Sequence, residues 1–195
     1  MDTRTELLNA AVAVFSQHGF RGSTTRRIAE AAGVNEVTLF RYFGSKEALL
    51  QEAIANTSER PTLTTLPDTP VDPDRELTEW CGLMIARLHA KRSIIRKCMS
   101  EIEEHPEMIT TAVSTPVRAA NDLAAYLRRL KSLGHTHTEF DVAAAASMLL
   151  GAVFHDAMGR EMMPQIYPAQ AKAARLYSRL LLNAIGFKTG DGGKR

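Results

Sequence analysis

The chain has 195 residues, of which 45% are hydrophobic and 24% are charged. This is the composition of an ordinary globular protein, long enough for one large or two small domains with a real core. The formal net charge of +2 excludes a strongly basic nucleic-acid coat protein. It leaves open whether one local face of the chain binds DNA.

The cysteines and the hydropathy of the sequence indicate the cellular compartment of the protein. Cys81 and Cys98 lie within predicted helices without a CxxC spacing, so we expect reduced, buried thiols, with a bridge or redox-sensing pair as the alternative. The first residues lead directly into an amphipathic pattern without an apolar signal core. No apolar run approaches the ~20 residues that span a bilayer. These features predict a soluble, cytoplasmic protein.

Helix signals recur along the chain and strand signals are almost absent, which predicts an all-α fold. A capping box of Thr3 and Glu6 is predicted to open the first helix, and Gly19 to end it. The second and third helices are predicted over Thr24 to Ala32 and Asn35 to Phe43, and Ser45 is the expected N-cap of a fourth. The helical period of the first segment is carried by Leu7, Leu8, Ala11, Val14 and Phe15.

The middle of the chain begins with a change of composition. Residues 58–74 contain four prolines and no helical period, which predicts a loop or linker. Asp72 as N-cap and Pro73 at the first position restart a helix. His105 and Pro106 are expected to break a following helix, and a further helix is predicted to stop at Gly134. Pro116 either kinks this further helix or starts it. The predicted buried stripes are Leu77, Trp80, Met84, Ile85 and Leu88, then Ile94, Ile95, Cys98 and Ile102, then Leu123, Tyr126, Leu127, Leu130 and Leu133.

Two final helices are predicted, the first opened by a Thr136 and Glu139 capping box and running to Pro164, the second starting near Pro168. The first is apolar nearly all round and rich in small residues, at 143–147 and 151–152. A helix that is apolar on more than one face must be covered on more than one face. We therefore expect a homodimer that packs these two helices against their twins as a four-helix bundle, the alternative being a fully internal helix.

A helix-turn-helix pattern lies near the front of the chain. Ala29 is small enough for two helices to cross closely, and Gly33 can adopt the left-handed conformation that turns the chain. Leu39 anchors the helix that follows this turn on the core, and Asn35 caps the same helix. The other side of that helix is then free to enter the major groove of B-DNA, where its N-terminal residues meet base edges.

The stretch TTRRIAEAAGVNEVTLFRYFGSKEALL resembles the DNA-binding unit of the TetR (tetracycline-repressor-like) family of bacterial regulators, from about Thr3 to Leu50. The resemblance implies an all-helical homodimer with a three-helix DNA-binding domain at residues 1–50. It also implies a helical ligand-binding and dimerisation domain, which we place at residues 51–188. The tail 189–195 is predicted to be disordered.

The resemblance also assigns DNA contacts. It implies that Thr25, Tyr42 and Lys46 hold phosphates, and their hydroxyl, phenol and ammonium groups suit phosphate oxygens. The alternatives are a core aromatic at Tyr42 and a solvated surface charge at Lys46. Base readout is expected from Arg26, which can bond guanine, and from the start of the third helix. The residues there are Asn35, Glu36, Val37, Thr38, Phe40, which can press on a thymine methyl, and Arg41.

Glu36 and Val37 depart from the commonest family pattern, which has non-acidic and small residues or proline there. Glu36 cannot favour phosphates. It can accept from a cytosine amino group, or point to solvent beside the helix N-terminus, where its charge is welcome. These departures bear on the operator sequence and not on the fold.

The remaining candidates lie in the larger domain. Trp80, Met84, Met99 and Phe154 are candidate walls of a small-molecule pocket, and Asn121 and His155 candidate ligand-orienting groups. Plain core packing is the alternative for each apolar residue, and a satisfied or surface histidine for His155. Residues 100–107 and 134–139 contain acidic residues and histidines without a set of three or four ligands, so we predict no metal and no cofactor.

The chain lacks a Ser-His-Asp, Cys-His or phosphate-loop arrangement, so we do not expect an enzyme. The predicted function is a transcriptional regulator, in the first instance a repressor released from a palindromic operator by a small molecule. An activator and a ligand-independent repressor are alternatives of the same class. A helical small-molecule- or protein-binding module with a vestigial DNA-binding unit is the alternative from another class.

Overall fold

The computed structural model describes residues 2–58, 66–105 and 114–187, and in these ranges the only strand-like pairing is an isolated bridge between Thr136 and Phe187. The all-α prediction is thereby confirmed. The helices are α1 (Thr3–Gly22), α2 (Thr25–Ala31), α3 (Glu36–Phe43), α4 (Lys46–Ser58), α5 (Pro73–Ala90), α6 (Arg92–Glu101), α7 (Ser114–Ser132), α8 (Val142–Gly159) and α9 (Gln170–Ala184).

The chain forms two compact units, each built from two segments: Met1–Pro61 with Lys91–Pro116, and Thr62–Ala90 with Val117–Arg195. In the first unit α1 packs against α2, α4 and α6. In the second, α5 packs against α8 and α9. The domain boundaries at residues 50 and 188 stay predictions of the sequence.

The first unit has a continuous apolar core contributed by α1 to α4. Its fully buried side chains include Leu7, Phe15, Ile28, Leu39 and Leu49. From α6, Ile94 joins this core, with Ile95 and Cys98 packed beside it. The first unit is therefore completed by α6, which lies about ninety residues along the chain from the start of α1.

The start of α1 differs from prediction. Asp2 is the N-cap, its side chain makes no capping hydrogen bond, and the Glu6 amide donates to the Asp2 carbonyl at 3.1 Å. The Thr3 and Glu6 capping box is therefore wrong, because Thr3 already lies inside the first turn. Gly19 does interrupt the helix, with a φ of 67° that L side chains rarely adopt.

Three predicted caps, at Asn35, Ser45 and Asp72, are confirmed, and Thr24 is a further N-cap that the sequence analysis did not single out. The Thr24 hydroxyl accepts from the Arg27 amide at 3.2 Å, and the Asn35 side chain accepts from Val37 at 2.9 Å. The Ser45 hydroxyl accepts from the Ala48 amide at 3.0 Å, and Asp72 from Arg75 at 3.2 Å. Each satisfies one of the amides that a helix start leaves without an internal partner.

The second unit has its own core, whose buried residues include Leu77, Trp80, Leu123, Tyr126 and Leu127. Residues 59–65 of the predicted linker lie outside the described residues, as do Pro106 and the tail 189–195. The rest of the linker is not a free spacer. Leu66 is buried in this core, and Arg129 donates to Asp68 at 2.6 Å.

Pro116 lies in the first turn of α7, so it starts that helix as one of the two alternatives predicted. The capping box of Thr136 and Glu139 is wrong. The N-cap of α8 is Asp141, whose carboxylate accepts from the Ala144 amide at 2.7 Å. Glu139 instead accepts from Lys131 at 2.8 Å.

By length and composition α8 is apolar enough to cross a membrane, although the sequence analysis expected no such segment. Alanines raise its average hydropathy even though Ser147, His155 and Asp156 interrupt its apolar runs. Of this span, 39% is buried inside the chain. Core helices of soluble proteins have the same composition, so α8 is weak evidence for a membrane span.

Candidate nucleic-acid interface

The turn between α2 and α3 has the geometry of a helix-turn-helix. Gly33 adopts a φ of 69°, and the Val34 amide donates to the Ala29 carbonyl at 3.0 Å. Ala29 and Leu39 are buried in the first core, so they fix both helices on one scaffold. The conformation of Gly33 reverses the chain at the end of α2, as αL glycines do after helices.

One face of α3 is buried and the other is exposed. Leu39 and Phe43 point into the core, whereas Val37, Phe40 and Tyr42 are 72%, 47% and 40% exposed. Tyr42 is therefore not the core aromatic that was the alternative for this position. Thr38 is half-buried, and Asn35 and Arg41 are exposed.

Thr25 and Glu36 form a contact that the sequence analysis missed. The Thr25 hydroxyl, expected to hold a phosphate, donates to Glu36 Oε2 at 2.7 Å. Glu36 therefore links the first turn of α2 to the first turn of α3 and does not simply point to solvent. The eleven-residue separation of the pair gives no local signal, because only the helix crossing brings the two residues together.

Arg26 is likewise engaged within the chain. Its Nε donates to Glu30 Oε1 at 2.9 Å along α2, and its side chain is 79% exposed. The hydrogen bond that Arg26 donates to Glu30, with the negative charges of Glu30 and Glu36, raises the pKa of Arg26. The i,i+4 spacing of Arg26 and Glu30 was a readable signal for this pair.

Lys46 lies against the end of α1 and is half-buried. Its Nζ donates to the Phe20 carbonyl at 3.2 Å and lies 4.0 Å from the centre of the Phe20 ring. Arg27 similarly donates to the Gly22 carbonyl at 2.5 Å. Backbone carbonyls at the end of α1 therefore hold the Lys46 and Arg27 side chains in place.

The predicted pocket residues do not form one group. Trp80 and Met84 are buried in the second core, Phe154 is half-buried, and Asn121 is exposed. Met99 is 56% exposed and belongs to the first unit, so it is not part of the apolar core that holds Trp80. Asn121 was expected amid apolar residues; the structure puts it on the outer side of α7 because its neighbour Leu123 takes the buried side.

The polar groups around α8 form a network that the sequence analysis missed except at His155. His155 is exposed, and the Tyr167 hydroxyl lies 3.0 Å from its Nδ1. The neighbouring Asp156 is fully buried and accepts from Arg160 at 2.6 and 2.5 Å and from Tyr177 at 2.8 Å. Burial, together with the hydrogen bond to Asp156, raises the pKa of Tyr177. A buried carboxylate with three such donors has its charge compensated.

His135 and His137, of the segment 134–139 considered above for metal, lie beyond the end of α7. Within the described residues, no group of three His, Cys, Asp or Glu side chains could hold a metal ion. Cys81 is buried and Cys98 is partly buried, and both thiols are free.

The helix-turn-helix region is similar to that of known bacterial regulators. Residues 7–53 match the family model for bacterial regulatory proteins, tetR family. The chain is 24% identical over 155 residues to the HTH-type transcriptional regulator UidR of Escherichia coli K12, covering 78% of each chain. It is also 43% identical over 51 residues to the HTH-type transcriptional repressor KstR2 of Rhodococcus jostii, which covers 26% of this chain and 25% of that protein.

Solved structures share the fold over nearly the whole chain. A TetR-family regulator from Mesorhizobium loti superposes with a TM-score of 0.78 at 22% identity, covering 94% of this chain and 96% of its own. The fatty acid degradation regulator FadR from Bacillus halodurans has a TM-score of 0.72 at 22% identity, covering 96% and 98%. The match therefore extends beyond the helix-turn-helix to the helices of the second unit.

Proposed function

We propose that this chain, a member of the TetR family of transcriptional regulators, is a cytoplasmic repressor that binds a palindromic operator as a homodimer. A small molecule bound by the second unit releases the operator. The single observation that carries the DNA-binding part is the exposed face of α3. Buried Leu39 and Phe43 hold α3 on the core, Arg41 is exposed on α3, and Arg26 is exposed on α2.

This geometry supports the DNA contacts that we propose. A helix held by one apolar face presents its opposite face to the major groove. Arg26 and Arg41 are exposed on α2 and α3, Tyr42 is partly exposed, and Lys46 donates to the Phe20 carbonyl. Thr25, Tyr42 and Lys46 then contact phosphates, and residues of α2 and α3 contact bases.

The homodimer is supported by the outer face of the last two helices. Met148 and Leu180 are 68% and 66% exposed, and Leu176 is exposed beside Leu180. Gly151 and Ala144 lie on the same side of α8 as Met148, and both are exposed. Large exposed apolar side chains together with small residues suit a closely packed helix interface. A two-fold dimer then sets the two α3 helices about one DNA turn apart, roughly 34 Å.

Release by a ligand requires that the ligand bind one dimer geometry better than the other, since only differential affinity shifts an equilibrium. The second unit, with its own core around Trp80 and Met84, is the part that we assign to the ligand. Bacillus halodurans FadR, which shares the fold, is a fatty acid degradation regulator.

Selection from random duplexes tests the proposal. The purified full chain is incubated with a pool of random DNA at moderate and low salt, and the retained duplexes are sequenced. We expect enrichment of a palindrome. Arg41→Ala is expected to weaken retention, whereas the control Arg128→Ala, an exposed arginine on α7, leaves it unchanged.

Retention without any enriched sequence at either salt concentration would contradict the proposal. It would favour a helical binding module with a vestigial DNA-binding unit. Enrichment of a palindrome followed by a reporter assay separates a repressor from an activator, because the first lowers and the second raises transcription from the selected site.

A further inference from the structure

The end of α6 packs against the end of α1 within the first unit. The Lys97 ammonium and the Glu101 carboxylate form an ion pair at 3.0 Å along α6, with side chains that are 31% and 15% exposed. This pair lies directly over Gly19, where a Cβ would collide with Glu101 Oε1 and Lys97 Cε. The bare Cα of Gly19 therefore permits both the kink of α1, at a φ of 67°, and the close approach of α6.

The next residue of α1, Phe20, is contacted by groups from two other parts of the first unit. The His105 ring, just beyond α6, lies against the Phe20 ring with 3.8 Å between the ring centres and 34° between the ring planes. Lys46 Nζ, at the start of α4, lies 4.0 Å from the centre of the same ring and donates to the Phe20 carbonyl at 3.2 Å. Because Phe20 is only 9% exposed, its ring has little freedom to move. The position of Phe20 therefore sets the position of the Lys46 ammonium.

We infer that the end of α6 positions the Lys46 ammonium for a DNA phosphate, with His105 and Glu101 as positioning residues that act through Phe20 and Gly19. This rests on the phosphate contact of Lys46 in the function proposed above. A lysine has a long, flexible stem, so a phosphate must order it unless the protein has already done so. The Phe20 ring stays against the ammonium when a phosphate oxygen replaces the Phe20 carbonyl as its acceptor.

The negative charge of Glu101 separates positioning from simple electrostatics. Glu101 belongs to the same unit as the candidate phosphate contacts, and loss of its carboxylate by itself favours binding to an anionic duplex. Positioning predicts the opposite sign, because Gly19 loses the side chain that packs on it. The neighbouring pair of Glu104 and Arg21, at 3.3 Å, is largely exposed and is expected to contribute little.

A double-mutant cycle between His105 and Lys46 is the direct test. Fluorescence anisotropy measures the affinity of each full-length variant for the operator that the parent chain selects. We expect His105→Ala to lower affinity by roughly threefold to tenfold, which corresponds to the ordering of one long side chain. In the Lys46→Ala background the same change should have no further effect, since no ammonium is left to position. His105→Phe restores an aromatic ring against Phe20 and should recover most of the affinity.

Glu101→Ala extends the test to the contact between α6 and α1. We expect affinity to fall by roughly threefold, although the variant has lost a negative charge. Glu79→Ala is the matched control, because Glu79 also pairs with a cation four residues away on its helix, Arg75, in the second unit. His137→Ala, at an exposed histidine of the second unit, is the control for the histidine change. Both controls should bind as the parent does, and circular dichroism with urea titration verifies that each variant is folded.

The outcomes separate this inference from the proposed function. If His105→Ala weakens binding as strongly in the Lys46→Ala background as in the parent, the two residues act independently and the inference is wrong. If Glu101→Ala binds DNA more tightly, only its charge matters and the inference is again wrong. If Lys46→Ala binds matched and random duplexes as the parent does, the inference fails while operator selection still supports the regulator. If the parent chain selects no duplex, the proposed function fails and the inference fails with it.

Discussion

At the scale of single residues, three of the candidate DNA contacts are hydrogen-bonded to the protein itself. Thr25 donates to Glu36, Arg26 to Glu30, and Lys46 to the Phe20 carbonyl. Binding to phosphates or bases at these positions replaces an internal hydrogen bond with one to DNA. The affinity gained at each position is therefore smaller than for a free side chain, because the internal contact is lost.

Arg26 and Lys46 are expected to differ when each is replaced by alanine. Arg26→Ala removes a base contact, so affinity for the selected operator falls by about 1–3 kcal/mol and sequence preference relaxes. Lys46→Ala removes a phosphate contact, so binding to matched and random duplexes weakens alike and the salt slope falls by about 1. Equal losses for Arg26→Ala on matched and random DNA would contradict its role as a base reader. Salt titrations of both duplexes measure these quantities.

The two cysteines are expected to react slowly at neutral pH. Burial raises the pKa of Cys81 to about 12 and that of Cys98 to about 11, so both stay protonated in the folded protein. A thiol is nucleophilic only as the thiolate. Labelling with a disulfide reagent at pH 7.5 should be slow in the native chain, slower at Cys81 than at Cys98, and rapid in denaturant.

The same pKa shifts predict the sign of a pH effect on stability. The unfolded thiols lose their protons at lower pH than the folded ones, so the unfolded state binds fewer protons in alkaline solution. The contribution of both thiols is fully present below the pKa of an ordinary thiol and is lost as the pH rises toward 11 and 12. A Cys81→Ala, Cys98→Ala double variant should show a weaker alkaline loss of stability than the parent chain.

At the scale of helices, the sequence predicted helix starts correctly where one residue was the evident N-cap. Asn35, Ser45 and Asp72 all cap as predicted. The two capping boxes were wrong for the same reason. The Thr-x-x-Glu pattern occurs at both sites, but Asp2 and Asp141 lie nearby and the helices begin after them.

Asp141→Ala is expected to lower the free energy of unfolding by about 1 kcal/mol, because it removes the acceptor of the Ala144 amide. Asp141→Ser retains a capping oxygen and should recover most of that loss. Thr136→Ala serves as a control with little effect, since its backbone bridge to Phe187 does not need the side chain. Urea titrations of the three variants measure the differences, and a larger effect at Thr136 would contradict this helix start.

At the scale of the whole molecule, the two units have separate cores, and the exposed apolar face of α8 and α9 belongs to the second. The homodimer proposed for that face connects the DNA-binding units of two chains. Because each half-site contributes part of the binding, loss of the dimer is expected to weaken operator binding without altering the first unit.

Leu180→Lys tests the dimer. A charge on a side chain that is 66% exposed costs the folded monomer little, whereas burial in an apolar interface would be costly. We expect sedimentation velocity to show a monomer and operator binding to fall by at least tenfold. Val117→Lys, at a valine 53% exposed on α7, is the matched control and should remain dimeric. A Leu180→Lys dimer with unchanged affinity would exclude this face as the interface.

Features that depend on neighbouring residues could be predicted from the amino-acid sequence alone. Apolar spacing predicted the helices, Gly33 predicted the turn after α2, and TTRRIAEAAGVNEVTLFRYFGSKEALL indicated the family. These signals are local, because backbone conformation and capping depend on residues within a few positions of one another.

Contacts between residues far apart in the sequence required the folded structure. It brought α6 into the core of the first unit, joined Thr25 to Glu36, and surrounded buried Asp156 with Arg160 and Tyr177. It also put Met99 in a different unit from Trp80. Such contacts depend on how helices cross and which faces they bury, and a one-dimensional pattern specifies the apolar face of a helix without specifying the helix that covers it.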